Sequence, residues 1–296
     1  MRRIAATIAV ATAVTTAAMA GAAPALAAHR ATASANTYYL SLGDSLAQGV
    51  QPNSSGVSVE TNVGYPNQLF AALRTANPSL RLVKLGCPGE TTGTMIKGGI
   101  CTYPTGSQLS QAAAFLASHK GKVQLVTIDI GANDLNPCLV LTSLPKIVKC
   151  LEGVFPQVQA NLTAIMDTLT SASGSGPPPI IGMNYYDPEL ANWLTGTAAG
   201  KALAKDSIAL AQAFASLLGQ VYTHFGAKVA DVLTAFHTTQ FGAKVTLPEF
   251  GKVPKAVAYI CTYTWECAAP PVGPNIHANV LGYGIIANTF LDTYLG

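Results

Sequence analysis

Charge is scarce in this chain: 10% of its 296 residues are charged, against 49% that are hydrophobic. No block of Lys and Arg occurs, so nothing points to nucleic acid or to an anionic membrane surface. Cys-x-x-Cys spacing is absent and no His sits beside a cysteine, which leaves a zinc site without a ligand pattern. Beyond the N-terminal stretch, no run approaches the ~20 continuous apolar residues of a membrane-spanning helix. No internal repeat is visible. So apolar a composition suits work on apolar or uncharged material.

Residues 1–27 read as a secretory signal peptide. Arg2 and Arg3 give a charged start, Ile4 to Ala23 is a weakly hydrophobic Ala/Thr/Val stretch, and Ala25-Leu26-Ala27 is a small-x-small cleavage site. Cleavage leaves 269 residues, with 15 basic against 14 acidic, so the excess of positive charge is partly a property of the leader. Residues 28–36 then form a flexible mature N-terminus, and 37–296 are enough for one large α/β domain. Export favours oxidised cysteines. The six cysteines fall as Cys87/Cys101, Cys138/Cys150 and Cys261/Cys267, and local pairing that closes three short loops is the simplest of the possible connectivities.

Apolar runs alternate with Ala/Leu-rich stretches of helical length. Strands are expected at Tyr38–Leu42, Leu80–Leu85, Val123–Ile130, Pro179–Asn184 and Ala227–Val232. Helices are expected at Pro66–Thr75, Gln108–His119, Glu152–Ser173, Thr197–Phe225 and Ala278–Leu295. Such alternation implies a parallel sheet covered on both faces. The segment Thr234–Tyr263 carries no clear pattern.

Four segments sit where strands end. Gly43-Asp44-Ser45-Leu46 closes the first strand and places a serine hydroxyl at the carboxyl edge of the sheet, where open α/β proteins carry their sites. Taken alone it is ordinary turn chemistry. The second strand runs into Gly86-Cys87-Pro88-Gly89-Glu90-Thr91-Thr92, where Gly89 offers a backbone N–H unobstructed by a side chain. The third ends in Gly131-Ala132-Asn133-Asp134, and the Asn133 amide can donate to an oxyanion. Near the C-terminus lies Pro274-Asn275-Ile276-His277-Ala278-Asn279-Val280-Leu281-Gly282-Tyr283, with His277 ahead of the last helix. Acyl transfer by serine needs a nucleophile, a base and donors aimed at the developing oxyanion, and these residues supply all three. Asp44 is expected to hold the serine turn, and Asp134 to brace the loop after the third strand.

In this order, the four segments resemble the GDSL, or SGNH, hydrolase superfamily over roughly Tyr38 to the C-terminus, and most closely its secreted actinomycete lipase/esterase branch. The resemblance implies a flavodoxin-like three-layer α/β/α fold of about five strands, with residues 37–296 as the hydrolase domain. It makes Ser45 the nucleophile, His277 the base, and Gly89 and Asn133, with the Ser45 N–H, the oxyanion hole. It implies three local disulfides and no cofactor or metal. The expected partner is an ester substrate, a lipid or other acyl ester, handled by a secreted monomer without nucleic acid or stable membrane insertion. One residue departs from the pattern. The family places an Asp three residues before the histidine, where this chain has Pro274. The expectation is that the Pro274 main-chain carbonyl serves His277 instead, with Asp187 as a candidate substitute acid. Two alternatives stand beside the esterase: a carbohydrate deacetylase on the same site, and a non-catalytic binding relative.

Overall fold

The structure, a computed structural model, describes residues 37–141 and 143–296. The signal peptide at 1–27 and the flexible segment at 28–36 lie outside the described residues.

Five parallel strands form the central sheet: β1 (Thr37–Gly43), β2 (Leu80–Lys84), β3 (Val123–Asp129), β4 (Ile180–Met183) and β5 (Lys228–Ala230). Their order is β2-β1-β3-β4-β5, the flavodoxin-like arrangement. β1 and β3 each end in five consecutive buried residues. These runs are mostly apolar, as a strand covered on both faces requires, with Ser41, Thr127 and Asp129 as their buried polar members.

The helices include α1 (Ser45–Gln48), α2 (Tyr65–Ala76), α3 (Thr92–Lys97), α4 (Gln108–Ser118), α5 (Leu144–Ser173), α6 (Ala198–His224), α7 (Lys255–Tyr263) and α8 (Val280–Leu295). α2 and α8 pack together on one side of the sheet, while α4, α5 and α6 pack in succession on the other. The result is three layers, with the core on both faces of the sheet. Three small antiparallel pairs join Gln51–Pro52 to Ser58–Val59, Lys244–Leu247 to Gly251–Pro254, and β6 (Thr264–Trp265) to β7 (Asn275–Ala278).

Two elements differ from their sequence reading. α5 begins at Leu144 rather than Glu152, because Pro145 lies in its first turn, where a missing N–H leaves no bond unmade. The last helix begins at Val280 rather than Ala278, because Asn275–Ala278 is drawn into a strand by pairing with β6. The cysteines form Cys87–Cys101, Cys138–Cys150 and Cys261–Cys267.

Candidate active site

The carboxyl ends of β1 and β3 approach so closely that only glycine fits between them. Gly43 sits at φ +137°, and a Cβ there would lie 2.2 Å from the Asp129 carbonyl oxygen. The chain then turns into α1, whose first residue is Ser45. Asp44 caps that helix: its Oδ1 accepts the Leu46 N–H at 2.9 Å, and its Oδ2 accepts the Tyr185 hydroxyl at 3.1 Å. At the first helical position the Ser45 N–H has no partner within its own helix.

Behind the serine lies a buried polar frame. The Gln108 amide bridges both sides of Gly43, accepting its N–H at 2.6 Å and donating to its carbonyl at 2.9 Å. The same amide nitrogen donates to Glu90 at 3.0 Å. Asp129 accepts the Tyr65 hydroxyl at 2.5 Å and shares a side-chain hydrogen bond with Asp44. Burial, followed by the neighbouring Asp44, pushes the Asp129 carboxyl well above the usual range, and burial pushes Asp44 up as well.

The Asn133 amide donates to the Glu90 carbonyl at 2.9 Å, and its oxygen accepts from Asn136 at 3.2 Å. These bonds fix which end of the amide is nitrogen and leave one of its two N–H groups for a ligand. Asp134 takes both the N–H and the hydroxyl of Thr92, tying the β3 loop to the start of α3. Gly89, next to Glu90, has φ +82°, and a Cβ there would meet nothing within 4 Å, so that face of the loop is open.

Ser45, Asn133 and His277 line one cavity of about 140 Å³. Gly89 is not among its lining residues, although it adjoins the carbonyl that holds Asn133. The rest of the wall is mostly apolar: Leu135, Leu139, Leu151, Phe155, Leu210, Ala211 and Phe214, from the β3 loop, α5 and α6. Tyr185, Tyr186, Asp187 and Glu189 close another side. Trp193 and Trp265 are not in the wall.

The Pro274 carbonyl is not the partner of His277. The imidazole Nδ1 lies 2.7 Å from the side-chain oxygen of Asn275, and the His277 backbone N–H donates to that oxygen at 3.1 Å. The reason is strand geometry. Residues 275–278 form β7, and in a strand residues two apart share a face, so Asn275 projects beside His277 while Pro274 precedes the strand. Asp187 does not serve the histidine either. Its oxygens accept the Ser207 hydroxyl at 2.6 Å and the Glu189 N–H at 3.0 Å. Burial, with no paired charge to offset it, pushes Asp187 up to about 7 and pulls His277 down to about 4.

Gln108, Tyr65 and Tyr185 were not legible, because the first residues of α4 and α2 and a loop residue after β4 lie outside the four motifs and nothing local shows that they turn inward. Asn275 lies within the C-terminal segment, but its place beside the ring follows only from the strand it belongs to.

A flavodoxin-like sheet with a serine on the turn after its first strand, an amide after its third and a histidine from the C-terminal segment defines the three-layer α/β/α hydrolase class. The chain belongs to the GDSL-like Lipase/Acylhydrolase family, whose model matches residues 41–285, and is therefore a carboxylic-ester hydrolase. A search of curated protein sequences finds no match. Among solved structures, the chain is similar to an extracellular lipase from Streptomyces rimosus, at 17% identity and a TM-score of 0.54, covering 87% of this chain and 99% of that one. It is similar to a phospholipase A1 from Streptomyces albidoflavus, at 18% identity and a TM-score of 0.54, covering 88% and 100%. An acetylxylan esterase from Geobacillus stearothermophilus aligns at 16% identity and a TM-score of 0.51, over 87% and 94%. At these identities the likeness is one of fold.

Proposed function

We propose that this protein is an exported serine esterase or lipase that takes esters of medium or long acyl chains through an acyl-enzyme on Ser45. The observation that carries the reading is the shared cavity, with Ser45, Asn133 and His277 in one wall and leucine and phenylalanine side chains around the rest. The Ser45 hydroxyl attacks the ester carbonyl while His277 Nε2 takes its proton. The oxyanion forms against the Ser45 N–H, the Gly89 N–H and the Asn133 amide. His277 returns the proton to the departing alcohol. Water then attacks the acyl-serine, giving its proton to His277, which passes it to the Ser45 oxygen as the C–O bond breaks and the fatty acid leaves. The apolar wall removes acyl methylenes from water at about 0.8 kcal/mol each, which favours chains longer than acetyl.

Hydrolysis of a p-nitrophenyl ester series by wild type and Ser45→Ala tests this. Wild type is expected to prefer medium or long chains, and Ser45→Ala to lose at least ~10⁴-fold in kcat. A preference for acetate would favour the deacetylase. Activity of Ser45→Ala within tenfold of wild type would remove Ser45 as nucleophile, and an inactive wild type would favour a binding protein.

Export is part of the proposal. The leader-like sequence of residues 1–27 and the three disulfides support it. No helix among the described residues is long and apolar enough to cross a membrane.

A further inference from the structure

We infer that Asn275 is the positioning residue of His277, its neutral amide oxygen fixing the imidazole where a carboxylate would otherwise act. The inference rests on the reading of His277 as the base.

Donor and acceptor logic carries it. A backbone N–H can only donate, so the Asn275 atom 3.1 Å from the His277 N–H is the amide oxygen. That same oxygen is 2.7 Å from Nδ1, so Nδ1 bears the hydrogen. The lone pair is then on Nε2, where a base facing Ser45 needs it. The other end of the amide is also held: Asn275 Nδ2 donates to the Ser58 hydroxyl at 3.0 Å. One side chain therefore sets both the tautomer and the tilt of the ring.

What Asn275 withholds is charge. The titratable groups around the ring are Asp44 before α1, Tyr185, Tyr186, Asp187 and Glu189 across the cavity, and Glu266 after β6. Burial pushes every one of them up, which favours its neutral form. Burial alone moves His277, and it moves the ring down. The imidazole therefore stays unprotonated, and competent as a base, in acid where a histidine paired with a carboxylate would be protonated.

The test is kcat and kcat/KM against pH, on a p-nitrophenyl ester read at the phenol–phenolate isosbestic wavelength. Wild type, Asn275→Asp, Asn275→Leu and Ser45→Ala are compared. Wild type should hold its kcat/KM down to about pH 4–5, as the His277 value of about 4 requires. Asn275→Asp keeps shape and contacts, since the Ser58 hydroxyl can turn to donate. Its charge favours the imidazolium, so the acid limb should move up by at least about one pH unit. Asn275→Leu removes the acceptor and should lower kcat by ~10² or more without the same change in KM. An acid limb that does not move in Asn275→Asp, or a kcat for Asn275→Leu within threefold of wild type, overturns the inference. Should Asn275→Leu not fold, the isosteric Asn275→Asp decides alone. An active Ser45→Ala would instead overturn the serine reading itself.

Discussion

Asp187 is 5% exposed and meets only a hydroxyl and a backbone N–H, which is too little to hold a full negative charge without loss. Its carboxyl is pushed up to about 7, so the native state keeps a proton that the unfolded chain gives up near pH 4. Stability from this group is full below about pH 4 and declines as pH rises towards 7. Asp187→Asn abolishes that decline. The melting temperature of the variant minus that of wild type should therefore climb between pH 4 and 7 and then level off. A flat difference across that range would show Asp187 ionised in the native protein. Asn133→Ala is expected to lower kcat by ~10²–10³ with KM little changed, and a loss under fivefold would take it out of the oxyanion hole. Ser45, Asn133 and His277 were legible because motif chemistry is local. The partner of His277 was not, because Asn275 is brought beside the ring by a strand that forms through pairing with the distant β6.

The apolar wall of the cavity belongs to two helices, α5 and α6, and to the loop that the Cys138–Cys150 disulfide ties to α5. Leu139 and Leu151 each follow one of the bridged cysteines, so the bridge fixes how far apart those two wall residues stand. Ala211 on α6 is the smallest apolar residue from either helix. Ala211→Phe should fill the space that takes three or four methylenes. At about 0.8 kcal/mol per methylene, kcat/KM on a decanoyl ester should drop ~60–200-fold relative to a butyryl ester. An unchanged ratio would place the acyl chain elsewhere. The five strands were legible as apolar runs, since burial on both faces leaves no alternation to interpret. Thr234–Tyr263 was not, because a short hairpin followed by α7 fits neither period for long.

Across the whole molecule, the disulfides close loops with separations of 14, 12 and 6 residues, worth about 2–3 kcal/mol each in unfolded-state entropy. Replacing Cys138 and Cys150 by Ala should lower unfolding stability by about that amount in urea. A change under 1 kcal/mol would show that loop closure contributes little here. N-terminal sequencing of the protein recovered from culture medium is expected to begin at Ala28, and an intact Met1 would refute the leader. The family was legible because four motifs fall at strand ends in a fixed order. The pocket was not, because its wall is assembled from helix faces distant in sequence. The two ends of the proposed reaction are also far apart along the chain. Ser45 follows the first strand, whereas His277 comes only after all five strands of the sheet. On that proposal a growing polypeptide holds its nucleophile long before it holds its base, and a chain interrupted before β7 carries every strand of the sheet without the base. On the proposed roles, esterase activity is acquired only when the last part of the chain has been made.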